Sequence, residues 1–151
     1  MKKDRFVAGG IAGFVASVTC DLVGITYKAL GWTDRAFNDY ATIVLTNQIY
    51  SKQGFLGLVL SIISHGAVCM MLGVVFAYLL LFTSSNYLYL KGLGYSLAIW
   101  LLLNTFGTLL KLPLFINMPL NVAYSTLSTA LIYGLMVSFT LKFIDKRMHL
   151  L

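Results

Sequence analysis

The sequence predicts an all-α membrane protein: a bundle of four transmembrane helices with a short amphipathic helix in the first external loop. Of the 151 residues, 59% are hydrophobic and only 11% are charged, whereas charged residues make up about 25% of soluble domains. The apolar residues also form four runs, and each run exceeds the ~30 Å hydrocarbon core of a bilayer at ~1.5 Å per helical residue. A soluble fold of this length leaves roughly a third of its surface exposed and could not hide so many apolar side chains.

The four predicted spans cover residues 6–30, 54–82, 88–110 and 122–144. Each is slightly longer than a bilayer requires, so we expect the helices to tilt. No linker rich in Gly or Ser separates the spans, and residues 1–151 are therefore expected to form a single membrane domain.

Basic residues near the ends of the spans predict the orientation of the bundle. Seven Lys and Arg residues lie on the side of both termini, and four lie on the opposite side. By the positive-inside rule, we expect both termini in the cytoplasm. The net charge of +6 is interpreted as a determinant of topology and a contact for the lipid bilayer, not for nucleic acid. The seven basic residues on the side of the termini are Lys2, Lys3, Arg5, Lys91, Lys142, Lys146 and Arg147. The four on the opposite side are Lys28, Arg35, Lys52 and Lys111.

The first external loop, residues 32–53, has the pattern of an amphipathic helix. Its apolar residues follow i, i+3, i+4, i+7, i+8 spacing, and Asp34 is placed near the N-terminus, where a negative charge suits the helix dipole. We predict a short helix on the outer surface of the membrane; an ordered loop that covers the bundle is the alternative. The spaced residues are Phe37, Tyr40, Ala41, Val44 and Leu45.

The second external loop, residues 111–121, contains both prolines of the chain, Pro113 and Pro119. Proline interrupts a helix, and the neighbouring residues are apolar, so this loop is expected to dip into the membrane interface. Aromatic residues near the span ends are typical of interfacial belts. They are Trp32, Phe55, Phe82, Tyr87, Tyr89, Phe115, Tyr124 and Phe143.

Small residues form a stripe along one face of the first span. Gly9, Gly13, Ser17 and Gly24 share this face at 100° per residue, and Gly9 and Gly13 make a GxxxG pattern that lets helices approach closely. In the second span, Gly73 continues a similar stripe of residues four apart. We predict that these residues form helix contacts, and that Asp21, at the edge of the first stripe, faces a neighbouring helix and not lipid.

Asp21 and His65 lie at matching depths in two antiparallel spans. Asp21 is nine residues from the external end of the first span, and His65 is eleven from that of the second. These depths agree within about one helical turn, so the two side chains are predicted to be able to meet. Together with Cys20, Cys69 and Asn104 they form the candidate intramembrane polar site.

Three interpretations of this polar site are compatible with the sequence. A buried Asp–His pair can simply hold two helices together. It can also carry a proton, because opposite charges keep both groups titratable near neutral pH. Finally, His65 can bind a haem, a metal together with Cys20, Asp21 and Cys69, or a quinone carbonyl. Adjacent Cys20 and Asp21 point about 100° apart on a helix, so both rarely reach one metal ion.

Parts of the chain resemble small bacterial inner-membrane proteins of the YagU and YqhR type. The resemblance lies in FVAGGIAG at residues 6–13, SHGAVCMMLGVVFAYLL at 64–80, and KGLGYSLAIW at 91–100 leading to LPLF at 112–115. It implies a multi-pass protein of the bacterial cytoplasmic membrane with His65 at a mid-helix position, and it implies no particular activity. Some proteins of this type carry a second histidine where this chain has Asn104.

The sequence contains no recognisable catalytic, nucleotide-binding or metal motif, and no nucleophile–base pair is evident from it. We therefore expect a non-enzymatic protein, without catalytic residues, resident metal or cofactor, that self-associates or serves as a subunit of a membrane partner. The first alternative is a proton- or ion-linked transporter or channel that uses Asp21 and His65. The second is a haem-, metal- or quinone-binding protein centred on His65.

Overall fold

The computed structural model describes residues 4–46, 54–83 and 86–148, and these residues form five α-helices. Four of the helices are long and apolar enough to cross a membrane, so the predicted fold class is confirmed. The predicted spans agree with the helices to within two residues, except that the last helix continues four residues further. The helices are α1 (Arg5–Ala29), α2 (Phe37–Thr46), α3 (Gly54–Thr83), α4 (Leu88–Leu109) and α5 (Leu120–Met148).

Local sequence explains where these helices begin and end. Asp4 caps α1, because its Oδ1 accepts a hydrogen bond of 3.0 Å from the Val7 N–H. Gly31 follows the end of α1 with a φ of +72°, a conformation that glycine adopts without strain. Pro119 directly precedes α5, a position at which its missing N–H removes no helical hydrogen bond. Its carbonyl accepts the Ala123 N–H at 3.0 Å.

The order in which the helices pack leaves one side of the bundle open. α1 lies between α3 and α5, and α4 packs against α5. Across the described residues, the backbones of α3 and α4 approach each other at few points. α2 packs mainly on α3 and also touches α1, at the end of the bundle that we call the α2 end; the opposite end is the termini end.

The helix predicted in the first external loop is present as α2, but it is more deeply packed than a surface helix. Asn38, Asp39 and Thr42 are buried together with Tyr40. The acidic residue in its first turn is Asp39, whereas Asp34, predicted near the N-terminus of this helix, lies three residues before its first residue and is exposed. Asp39 accepts hydrogen bonds from Lys28 Nζ at 2.6 Å and from the Ala36 N–H at 2.7 Å.

Glycines bring α1 and α3 into close contact. A Cβ on Gly9 or Gly13 would overlap the backbone of α3, and one on Gly73 would overlap the backbone of α1. Gly24 instead lies against Ala36, in the connection to α2, and Ser17 is buried with its Oγ donating to the Phe14 carbonyl at 2.8 Å. A second close approach joins α4 to α5.

Gly92 and Gly134 make that second approach, because a Cβ on either would overlap the backbone of the other helix.

Some residues used in the sequence predictions lie outside the described part of the chain. These are Lys2, Lys3 and Lys52, and the side chains of Val44, Leu45, Lys146 and Arg147.

Candidate functional site

The Asp21 carboxylate of α1 and the His65 imidazole of α3 are hydrogen-bonded inside the bundle. The distance from Asp21 Oδ1 to His65 Nδ1 is 2.8 Å, and the side chains are 12% and 9% exposed. A carboxylate only accepts hydrogen bonds, so Nδ1–H donates to Asp21. The contact therefore fixes the orientation of the ring and, in the neutral imidazole, leaves the lone pair on Nε2.

The other ring nitrogen of His65 faces a cysteine. Cys69 Sγ lies 3.4 Å from His65 Nε2, one helical turn further along α3, where i and i+4 side chains are neighbours. With the proton of His65 on Nδ1, the thiol donates to Nε2. Asp21, His65 and Cys69 thus form a continuous hydrogen-bonded chain.

An aromatic side chain from α2 covers the histidine. The Phe37 and His65 rings are parallel within 5°, and their centroids are 6.0 Å apart. Because Phe37 is the first residue of α2, this ring contact couples the position of α2 directly to the hydrogen-bonded chain of Asp21, His65 and Cys69.

Cys20 belongs to a different contact. Its Sγ donates to the Thr129 carbonyl of α5 at 3.5 Å, whereas the adjacent Asp21 contacts α3, as expected for neighbours about 100° apart on a helix. Both cysteines are free thiols. Within residues 4–46, 54–83 and 86–148, no three His, Cys, Asp or Glu side chains are arranged to hold a metal ion.

A cavity of about 410 Å³ lies beside the polar chain. Cys20, His65, Cys69 and Asn104 all line it, and Asp21 supports His65 from the α1 side. Most other lining side chains are apolar or aromatic, including Leu72, Ile99, Leu103, Met118 and Ala130.

Aromatic residues close the cavity at the α2 end. Phe37 and Tyr40 line it from α2, and Phe115 lines it from the α4–α5 connection. The Tyr40 and Phe115 rings meet edge to face with centroids 4.7 Å apart. Phe115, predicted as part of an interfacial aromatic belt, is therefore also part of this cover.

Hydrogen-bonded tyrosines limit the cavity toward the termini end. Tyr133 O–H donates to the Cys69 carbonyl at 2.8 Å, and Tyr95 O–H donates to the Leu72 carbonyl at 2.6 Å. The Phe76 and Tyr95 rings pack with centroids 4.9 Å apart. These contacts bring α4 and α5 to α3 and close the space between them.

The cavity opens sideways, between α3 and α4. Val68 of α3 and Leu103 of α4 line it and are nearly half exposed, at 45% and 43%. These helices have little direct contact across the gap. In a membrane, the opening would face the acyl chains of lipids.

Asn104 and Trp100 form the polar part of the α4 wall. Asn104 Nδ2 donates to the Trp100 carbonyl at 2.7 Å, and Trp100 Nε1 donates to Thr126 Oγ1 of α5 at 3.2 Å. Asn104 therefore shares the cavity with His65 from a different wall. Phe37 and Trp100 were not predicted as site residues, because no local sequence pattern marks them and only the order of the helices brings them to the cavity.

No family model, curated protein or solved structure matches the chain.

Proposed function

We propose that this protein binds a lipid-soluble molecule in the cavity between α3 and α4, with the Asp21–His65 pair as its polar anchor. The observation that carries the proposal is the cavity of about 410 Å³ that opens between two membrane-spanning helices. Small-molecule sites typically have volumes of about 300–1,000 Å³ and apolar walls with a few polar groups. This cavity has both properties.

The chemistry of the anchor indicates the kind of ligand. The Nε2 of His65 is the ring nitrogen that Asp21 does not bond; unprotonated, it can accept a hydrogen bond from a ligand hydroxyl in place of the Cys69 thiol, and protonated, it can donate to a carbonyl. A mostly apolar molecule with one such group, as in a quinone or an acyl lipid, matches the cavity. A quinone-binding protein centred on His65 was one of the alternatives that the sequence predicted.

The packing toward the termini end favours ligand binding over conduction. Asp21 and His65 lie nearer the α2 end, whereas Leu72, Phe76 and Tyr95 pack together toward the termini end. A proton or ion path would have to cross this packed region. Self-association, or a role as a partner subunit, stays a prediction alongside ligand binding.

We also propose that the protein lies in the bacterial cytoplasmic membrane with both termini in the cytoplasm. The distribution of basic residues supports this orientation, and it would place the cavity in the outer half of the bilayer. Protease accessibility of terminal tags in right-side-out and inside-out vesicles tests it.

Photo-crosslinking in nanodiscs tests the binding function. Long-chain quinone and acyl-lipid probes that carry a diazirine are expected to label peptides of α3 and α4 in the intact protein. Val68→Trp, at the mouth, is expected to lower labelling at least about tenfold, which corresponds to ~1.4 kcal/mol of binding free energy. Met71→Trp is the control, because Met71 lies on the same helix, is exposed and does not line the cavity. Equal labelling of both variants, or no labelling of the unmodified protein, would contradict the proposal.

A further inference from the structure

We propose that Cys69 is an acyl-accepting nucleophile, with His65 as its base and Asp21 as the residue that positions the base. The substrate class is a long-chain acyl ester or thioester whose chain occupies the cavity. This inference rests on the proposed function, because the acyl donor is the lipid-soluble ligand of the same site.

The side chains have the connectivity that nucleophilic catalysis requires. A thiol lies 3.4 Å from Nε2, and the opposite ring nitrogen lies 2.8 Å from a carboxylate. A nucleophile within reach of a base, with the base oriented by a third group, defines such a site whatever the fold or chain order. Hydrogen-bond distances to sulfur are longer than those to oxygen, and an unliganded site often has looser geometry still.

Two features separate this arrangement from an ordinary contact within a helix. A His and a Cys four residues apart on one helix meet for local reasons, but Asp21 comes from α1, 44 positions away, and bonds the ring nitrogen that the thiol does not use. The thiol and the ring also line a cavity large enough for a ligand. A purely structural pair needs neither property.

The position of Cys69 is further fixed by α5. Tyr133 O–H donates to the Cys69 carbonyl at 2.8 Å, and Gly13 of α1 packs against the Cys69 backbone. Anchoring of this kind holds a nucleophile in a defined place relative to its substrate.

The proposed step is balanced without any redox partner. Cys69 Sγ attacks the acyl carbonyl carbon while His65 Nε2 takes the thiol proton. The bond from the carbonyl carbon to the leaving oxygen or sulfur then breaks, and the leaving alcohol or thiol takes the proton from Nε2. The products are an S-acyl thioester on Cys69 and a free alcohol or thiol.

Cys20 provides an internal control within the same molecule. It is a free thiol that lines the same cavity, but its Sγ donates to the backbone carbonyl of Thr129. If lipophilicity of the donor alone decided reactivity, both thiols would be acylated. If the base decides it, Cys69 reacts and Cys20 does not.

The experiment incubates the full chain in nanodiscs with two alkyne-tagged donors separately, a palmitoyl thioester and a phospholipid with a tagged acyl chain. Mass spectrometry of peptides locates the acyl group, and hydroxylamine release identifies a thioester. Cys69 is expected to be acylated at least about a hundredfold faster than Cys20, the scale of general-base catalysis. Whichever donor reacts identifies the source of the acyl group. Because both thiols are compared in one unmodified protein, the result does not depend on the folding of a variant.

Variants then test the roles of the other two residues. His65→Gln is expected to lower the rate at Cys69 by about a hundredfold or more. Asp21→Asn is expected to lower the rate of acylation at Cys69 by a larger factor than it lowers diazirine-probe labelling of the cavity, a separation that a merely structural role would not produce.

The outcomes separate the two proposals. Probe binding without acylation of Cys69, equal acylation of both cysteines, or an unchanged rate in a folded His65→Gln protein overturns the inference and leaves the proposed function standing. Absence of both binding and acylation overturns both.

Discussion

Asp21 Oδ1 and His65 Nδ1 lie 2.8 Å apart although the two residues belong to different membrane-spanning helices. The contact lies on the α2 side of the glycines that bring α1 against α3. It therefore sets the rotation of one helix against the other at the point where the cavity begins. The same hydrogen bond contributes to helix association and organises the ring that faces Cys69.

The energetic coupling of Asp21 and His65 is the first prediction. Asp21→Leu and His65→Leu should each destabilise the bundle, and the double variant should be less destabilised than the sum of the two. We expect a coupling of about 0.5–2 kcal/mol, the range for polar contacts between membrane helices. The coupling is measured by reversible unfolding in mixed micelles of the unmodified protein, the two single variants and the double variant. Additive effects would show that the contact contributes no net stability.

The close contact of α1 with α3 gives the second prediction. Gly13→Val should destabilise the bundle by at least about 1–3 kcal/mol, because the new side chain would force the backbones apart. Gly94→Val is the matched control, since Gly94 lies within α4 and is exposed, and a Cβ added there would meet no neighbouring helix within 4 Å. Thermal unfolding in detergent compares the two. Similar melting temperatures for both variants would contradict a backbone contact at Gly13.

The sequence predicts some of this architecture and omits the rest for physical reasons. Hydropathy locates the spans because a bilayer sets their length, and counting depth places Asp21 beside His65 because consecutive spans are antiparallel. The cavity, in contrast, follows from the lateral order of the helices, in which α3 and α4 are separated by α1 and α5. Amphipathic periodicity says little about that order in lipid, where every face of a helix can be apolar.

The details of α2 show a second limit. The spacing of apolar residues predicts a helix near residue 37. Asp34 was predicted as the acidic residue near its N-terminus only because it is close in sequence. The structure uses Asp39, because Lys28 at the end of α1 and the Ala36 N–H both converge on its carboxylate. Only the folded connection between α1 and α2 brings these groups together.

The Lys28–Asp39 ion pair gives the third prediction. Asp39 is buried, and its carboxylate accepts hydrogen bonds from Lys28 Nζ and the Ala36 N–H, which a neutral amide would weaken. Asp39→Asn should therefore loosen α2, which we expect to appear as faster hydrogen exchange in α2 and weaker probe labelling of the cavity that α2 covers.

The matched control for this change is Asp34→Asn. The Asp34 side chain is 69% exposed and pairs only with the adjacent Arg35 at 3.4 Å among the described residues, an arrangement that typically contributes about 0–1 kcal/mol. Its removal should leave exchange in α2 unchanged. Equal exchange in α2 for both variants would show that the buried pair does not hold this helix.

Titration of Tyr40 gives the fourth prediction. Burial on the packed face of α2 raises the pKa of Tyr40 from 10.0 to about 12, although the nearby Arg35 charge lowers it. Because the folded state holds the phenolic proton more tightly than the unfolded chain does, the stability that Tyr40 contributes is fully present below pH 10.0 and is lost as pH rises through about 12.

Difference spectroscopy isolates this residue from the other tyrosines. Tyr40→Phe keeps an aromatic ring against Phe115 and removes only the ionisable group. The difference in tyrosinate absorbance between the unmodified protein and this variant should therefore titrate near pH 12 in the folded state and near 10.0 in the denatured state. A folded-state midpoint near the denatured value would mean that water reaches Tyr40, and hence that α2 does not seal the cavity at this end. A midpoint near 12 would show that the aromatic cover is closed, which leaves the gap between α3 and α4 as the route by which a ligand reaches His65 and Cys69.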